Sequence, residues 1–264
     1  AALDGGYVDP NIMIETHGIY QFGRNVIKDV HNYGTLDLTH VLQKSSNIGV
    51  AKIAMTMPQE YFWGVYSKLG FGTSAGVGFP GEASGSLSDY QNWHDFDQAA
   101  LSFGYGVSMS ALQLARAWTA LADDGVLHSV TLLKRDEDPD AQRVFKAETA
   151  RKVREMLEHV ISKEGTAYQA RVEGYRVAGK TGTVKKAGAG GYTDDKYLSV
   201  FVGLAPASNP RFIIAIVVDE PNSGQYYGGL VAAPAFAKVM GGALRVYGVE
   251  PDGVENMHLL LSKQ

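Results

Sequence analysis

Ala178-Gly179-Lys180-Thr181-Gly182-Thr183 follows a short extended-type run, Tyr175-Arg176-Val177, and two further strand-like stretches come after it, Tyr197 to Leu204 and Phe212 to Asp219. The first of these two alternates partly. The second is a continuous apolar run rich in Ile and Val, the pattern expected of a central buried strand. Three strands in succession predict an antiparallel meander. The connection from Lys185 to Lys196 is rich in Gly and charge and too short for a crossover helix, which predicts a long hairpin between the first two strands. Pro206-Ala207-Ser208-Asn209-Pro210 supplies the turn before the third. Ala232 to Val246, with Pro234 near its start, reads as a closing helix on one face of the sheet, and residues after Pro251 as a tail.

Upstream the period is helical. Leu3 to Asp29 mixes Gly, Pro, Asp and Asn with scattered aromatics, predicting loop and short extended segments. Thr39 reads as an N-cap, with Val41, Leu42 and Ser45 at helical spacing, and Val50, Ile53, Ala54 and Met57 resume the pattern beyond Asn47. Ser45-Ser46-Asn47 is thus placed at a junction of two helices. Further helices are predicted from Pro58 to Leu69, from Ser110 to Leu121 before Gly125, and from Glu148 to Ser162. Their apolar stripes are core faces. The fold class is α+β, an antiparallel sheet covered by helices on both faces.

Composition narrows the function. The chain has 264 residues, 45% hydrophobic and 20% charged, enough for a substantial core. A net charge of −4 without a basic block makes nucleic acid an unsuitable partner. No apolar stretch reaches the roughly 20 residues of a membrane span, and Ala1 opens no signal-like segment, so neither anchor nor export signal is expected within these residues. The absence of cysteine excludes a disulfide scaffold and a thiolate nucleophile. The seven histidines show no ligand spacing, so no metal and no cofactor is expected.

A Lys-Thr-Gly on a strand has a chemical logic. Lys180 supplies a fixed cation, Thr181 a hydroxyl donor, and Gly182 lets a ligand approach the backbone. Alone it reads equally well as an ordinary strand end, and Ser45-x-Asn47, about 135 residues upstream, as a polar helix cap. The pairing carries more. With Leu42-Gln43-Lys44-Ser45-Ser46-Asn47-Ile48-Gly49-Val50, Ser102-Phe103-Gly104-Tyr105-Gly106, Leu112-Gln113-Leu114-Ala115-Arg116, Ala178 to Thr183, and Tyr226-Tyr227-Gly228-Gly229 followed by Ala233-Pro234, the chain resembles the transpeptidase domain of class B penicillin-binding proteins. The resemblance is to the septal cell-division type, penicillin-binding protein 3 of Gram-negative bacteria. It covers residues 1–252 as a partial transpeptidase domain, with 253–264 as a C-terminal tail.

That resemblance implies a D,D-transpeptidase that cross-links peptidoglycan stem peptides through a serine acyl-enzyme and is acylated by β-lactams. It implies an inner-membrane anchor, a periplasmic domain and cell-division membrane proteins as partners. Ser45 would relay protons near the leaving group, Asn47 would hydrogen-bond the substrate amide, and Lys180 would orient Ser45 and attract the substrate carboxylate. The Thr181 and Thr183 hydroxyls would bind that carboxylate beside Gly182, and the Thr183 N–H would serve the oxyanion. Tyr226, Tyr227 and Gly228 would border the substrate, or equally form a turn into the last helix.

One element of the pattern is missing. No Ser-x-x-Lys occurs in the 264 residues, so the nucleophile and its N–H are expected to lie outside them and the chain alone to be inactive. Thr183-Val184-Lys185-Lys186 has a hydroxyl and a Lys at similar spacing, but on a strand, where it cannot present both on one helix face. Ser108-Met109-Ser110 replaces the Thr-Pro of many relatives while keeping a capping hydroxyl. A serine β-lactamase remains an alternative, although no Glu-x-x-x-Asn of the class A kind is present. So does a non-catalytic module that binds peptidoglycan or division proteins.

Overall fold

The computed structural model describes residues 1–253 apart from 139, 189, 190 and 223, with the backbone alone at 187, 188 and 191–195. The C-terminal tail beyond 253 lies outside the described residues. The chain divides into two compact units, 1–153 and 154–264.

The first unit begins with short strands. β1 (Ile14–Glu15) pairs antiparallel with β4 (Thr35–Leu36), and β2 (Ile19–Phe22) with β3 (Asn25–Lys28) in a hairpin closed by Phe22 opposite Asn25. Next come α1 (Leu38–Lys44), α2 (Asn47–Ala54) and α3 (Gln59–Lys68). The helix cap is Asp37 rather than Thr39: its carboxylate accepts from the His40 N–H at 2.8 Å, and a carboxylate caps at least as well as a Thr hydroxyl. Pro58 precedes α3 as its sequence suggests.

β5 (Ser86–Leu87), α4 (Asp95–Ser102), β6 (Val107–Ser108), α5 (Ala111–Ala122), β7 (Val126–Leu127) and β8 (Gln142–Arg143) follow, with β5 paired to β6 and β7 to β8. Ser110 and Gln113 form a capping box on α5. The buried Gln113 amide also donates to the Thr73 and Ser84 carbonyls, so one polar side chain ties a turn-rich loop to the helix start. α2 buries Ile48 and Ala51 against Ile27 and Ala99, with Tyr20, Phe22, Phe96 and Phe103 around them. That cluster fixes the β2–β3 hairpin beside the start of α2.

After α6 (Ala147–Glu158) the chain continues into the second unit, whose meander is β9 (Ala178–Gly188), β10 (Gly191–Ala205) and β11 (Phe212–Asp219). The sheet order β11-β10-β9 is the predicted meander, but it makes β10 the central strand: β11, expected to be central and buried, pairs along one edge among the described residues and is half-buried, with Val217 exposed. The first two strands continue through most of the Lys185–Lys196 stretch that reads as a connection, with a register shift between Tyr192 and Tyr197. The glycines there do not stop pairing, because a long two-stranded ribbon tolerates an irregularity.

α7 (Gly228–Val246) starts four residues before the predicted Ala232. Consecutive glycines suggest a break, yet here they are required by contact. A Cβ on Gly228 would lie 2.3 Å from the Val200 carbonyl oxygen and 2.5 Å from that of Gly182, and one on Gly229 would lie 2.0 Å from the Thr166 oxygen. α7 crosses one face of the sheet and buries Phe236 against Phe201, ring centroids 4.7 Å apart, together with Met240 and Leu244. At mean hydropathy 1.3 it is long and apolar enough for a membrane span, but this buried stripe makes it the sheet's cover.

Candidate active site

Ser45 closes α1 in the left-handed region, φ 55°, which reverses the chain within one residue. Its N–H donates to the Leu42 carbonyl at 3.2 Å, and the Ser46 N–H to that of Val41 at 3.0 Å. The reversal separates the two serines: Ser45 is exposed, whereas Ser46 is fully buried. The Ser46 hydroxyl accepts from the Gly49 N–H at 2.9 Å, capping α2, and donates to Asp29 Oδ2 at 2.5 Å. Asp29 Oδ1 accepts from the Ile48 N–H at 3.1 Å, and Asn47 Nδ2 donates to the Lys28 carbonyl at 3.1 Å. Thus the exit of the β2–β3 hairpin grips the Ser-Ser-Asn turn at three points. A Cβ at Gly49 would meet Val41 at 2.7 Å, which accounts for the glycine two residues after Asn47.

Lys28, Asp29 and Ser46 escaped the sequence reading. Asp29 sits at the end of a polar loop-like stretch, and no local pattern ties it to a serine 17 residues on. The only available signal was the second serine at an N-cap position.

In the second unit β9 presents Thr181 and Thr183 on one side and Lys180 and Gly182 on the other, by strand alternation. Their partners across β10 are Phe201 for Thr181 and Ser199 for Thr183. The Thr181 and Thr166 hydroxyls are 2.9 Å apart. Thr183 Oγ1 accepts from the Gly228 N–H at 3.0 Å, so this hydroxyl tethers the start of α7 while keeping its own proton to donate. Lys180 Nζ donates to the Thr181 carbonyl at 3.1 Å and approaches Thr181 Oγ1 at 3.4 Å. Burial pulls the Lys180 ammonium down from the usual lysine range to about 8. A lysine so placed is cationic at neutral pH yet releases a proton at little cost, which suits both anion attraction and proton transfer.

Tyr226 and Tyr227 join this group through Gly228. Ser199 Oγ donates to the Tyr226 carbonyl, which fixes the segment to β10. The Tyr226 ring stacks on Tyr197 at 4.1 Å and 12°, and Tyr227 lies 4.6 Å from Tyr226. The Tyr227 phenol, partly exposed, is pushed up by its hydrogen bond with Tyr226. Tyr197, unforeseen in the sequence, completes a three-ring wall. Lys180, Thr181, Gly182, Thr183, Tyr226, Tyr227 and Gly228 are therefore brought together within one unit, while Ser45 and Asn47 belong to the other. Among the described residues no cluster of three His, Asp or Glu is arranged for a metal ion.

The second unit is thus an antiparallel meander with Lys-Thr-Gly-Thr on its first strand and α7 laid over one face. The chain belongs to the penicillin binding protein transpeptidase domain family, which matches residues 1–241. It is 44% identical over 250 residues to the probable peptidoglycan D,D-transpeptidase PenA of Neisseria meningitidis serogroup B, covering 95% of this chain and 43% of that protein. It is 42% identical over 253 residues to the peptidoglycan D,D-transpeptidase FtsI of Escherichia coli, covering 96% of this chain and 43% of the relative. The apo structure of the TP domain of Burkholderia pseudomallei penicillin-binding protein 3 superposes with a TM-score of 0.91 at 47% identity, covering 95% of this chain and 77% of that one. The chain thus spans under half the length of these curated relatives.

Proposed function

We propose that these residues supply the Ser-x-Asn and Lys-Thr-Gly-Thr parts of a peptidoglycan D,D-transpeptidase acting in septal wall synthesis at the periplasmic face of the inner membrane. The observation that carries the reading is the buried Lys180 on β9, its ammonium pulled down to about 8 and its Nζ 3.4 Å from the Thr181 hydroxyl. Transpeptidation needs a group that tolerates the substrate's carboxylate and helps protons move to and from the leaving amine.

In the proposed reaction a serine hydroxyl attacks the stem-peptide carbonyl, the terminal D-residue leaves as an amine, and an amine of a second stem peptide attacks the acyl-enzyme. Thr181 and Thr183 hold the substrate carboxylate by hydroxyl donation, which the accepting role of Thr183 Oγ1 toward Gly228 leaves possible. The Thr183 N–H serves the oxyanion, a contribution whose loss typically costs about 10²–10³ in rate. Ser45 relays the proton and Asn47 holds the substrate amide. The three tyrosines present an apolar wall to the substrate backbone or to a β-lactam side chain.

The nucleophile is not among these 264 residues, which contain no Ser-x-x-Lys. Labelling with fluorescent penicillin, followed by peptide mass mapping, tests the proposal on this chain and on the same chain extended upstream by its native sequence. Label only on the extended form, at the serine of a Ser-x-x-Lys, is the expected result. Label on neither form would favour a non-catalytic binding module, and rapid turnover of nitrocefin by the extended form would favour a β-lactamase.

A further inference from the structure

The second unit carries a groove of about 600 Å³ that the chemistry above does not use. Arg171, Glu173, Tyr175, Lys238, Arg245 and Pro251 are among its lining residues. Three cations face one carboxylate there, in a chain whose net charge is −4. A general attraction for anions is therefore excluded, and any anion bound here is bound by local charge.

The groove is built rather than accidental. Val172 and Tyr175 form an antiparallel bridge around Gly174, whose φ of 81° requires glycine. The Gly253 N–H donates to the Gly174 carbonyl at 3.0 Å, and the Tyr175 hydroxyl to that of Val249 at 2.5 Å. Asp252 accepts from the Arg176 N–H and from the Ser208 N–H and hydroxyl, which engages its carboxylate. Arg171 is held with Nε on the Tyr168 carbonyl at 2.9 Å and its guanidinium 3.5 Å over the Tyr168 ring. Among the described residues Lys238 and Arg245 form no ion pair, whereas elsewhere in this unit Arg176 pairs with Glu158, and Lys186 with Asp219 and Glu220.

We propose that this groove binds a flexible acidic segment of a protein partner, at a site distinct from the Lys180 strand. Lys238 and Arg245 are seven residues apart on α7, about 10 Å along the helix axis. Carboxylates three residues apart on a polyproline-type segment lie on one face about 9 Å apart, so such a segment meets both cations at once, with Arg171 available for a third acidic group. Preformed walls and a prepositioned Arg171 reduce what must be ordered on binding. A concave site favours a chain that enters it over a flat anionic bilayer, and the acidic net charge disfavours nucleic acid.

The test is a fluorescence-anisotropy titration of the full chain with fluorescein-labelled hexaglutamate at low and high salt. Saturable binding is expected, weakened by salt and by on the order of tenfold in the double variant Lys238→Glu, Arg245→Glu. Charge reversal at the exposed Lys68 of the first unit should leave it unchanged. Both altered side chains are exposed, so an unchanged thermal transition verifies that the variant folds. No saturable binding, equal binding by the variant, or binding of phosphatidylglycerol vesicles through these residues without binding of hexaglutamate would overturn the proposal.

Discussion

Replacing Ser46 by Ala removes a hydroxyl that does two jobs in the Ser-Ser-Asn turn. It deletes the α2 cap on the Gly49 N–H, worth about 1 kcal/mol. It also removes the donor to Asp29 Oδ2, a hydrogen bond to a charged acceptor of about 1.5–3 kcal/mol. Because Ser46 is fully buried, no solvent replaces what is lost, whereas Asp29, partly accessible, recovers some hydration. The net expectation is a loss of roughly 2–4 kcal/mol, a large share of the 5–15 kcal/mol typical of a domain. Urea denaturation should show it as a lower midpoint with an unchanged slope. Ser45→Ala, one residue away but exposed, should stay within about 0.5 kcal/mol. Asp29→Asn should couple to Ser46→Ala in a double-mutant cycle by about 1 kcal/mol or more, since each deletes the same contact. A cost for Ser46→Ala no larger than that for Ser45→Ala, or strict additivity with Asp29→Asn, would refute the reasoning.

Other consequences can be checked separately. Gly228→Ala drives a Cβ into two carbonyl oxygens that belong to paired strands, so it should cost about 3 kcal/mol by chemical denaturation; Gly242→Ala, with open space around it on α7, should gain about 0.5–1 kcal/mol. An NMR titration of the Lys180 side chain should give a midpoint near 8. Since burial disfavours its charged form, the group weakens the fold below that value, and the penalty is relieved as pH rises toward the unfolded value of about 10.4. His128 lies between Asp123 at 2.7 Å and Asp138 at 3.0 Å, and although burial opposes its charge, these two carboxylates raise its pKa. Its contribution to stability should therefore be complete below about pH 6.5 and vanish as pH rises through the raised folded value, and His128→Gln should abolish that slope.

Much of the architecture was legible because the signals were local. The strand at Phe212–Asp219, though not its edge position, the helix start at Ser110 and the junction at Ser45 all depend on residues within a turn of one another. Misreadings arose where long-range contact overrides local preference. Gly228 and Gly229 suggest a break in isolation, yet in the fold only glycine fits beneath the carbonyls of Val200, Gly182 and Thr166. Asp37 rather than Thr39 caps α1, since neighbouring candidates differ by too little for spacing to choose. The Lys-Thr-Gly-Thr group was visible as a motif. Its supports were not: Asp29 behind Ser46, Thr166 against Thr181, Ser199 on Tyr226 and the Tyr197 ring come from segments with no sequence proximity to the residues they hold.

The central claim is that the Ser-x-Asn turn and the Lys-Thr-Gly-Thr strand serve one acyl transfer. Acylation rates with fluorescent penicillin, measured on the upstream-extended chain for Ser45→Ala, Lys180→Ala and the double variant, test it most directly. Each single change should slow acylation by about 10²–10⁴, and the double variant should be little worse than the slower single one, as for groups acting as a unit. Unchanged rates in either single variant, or losses that multiply in full, would contradict the account.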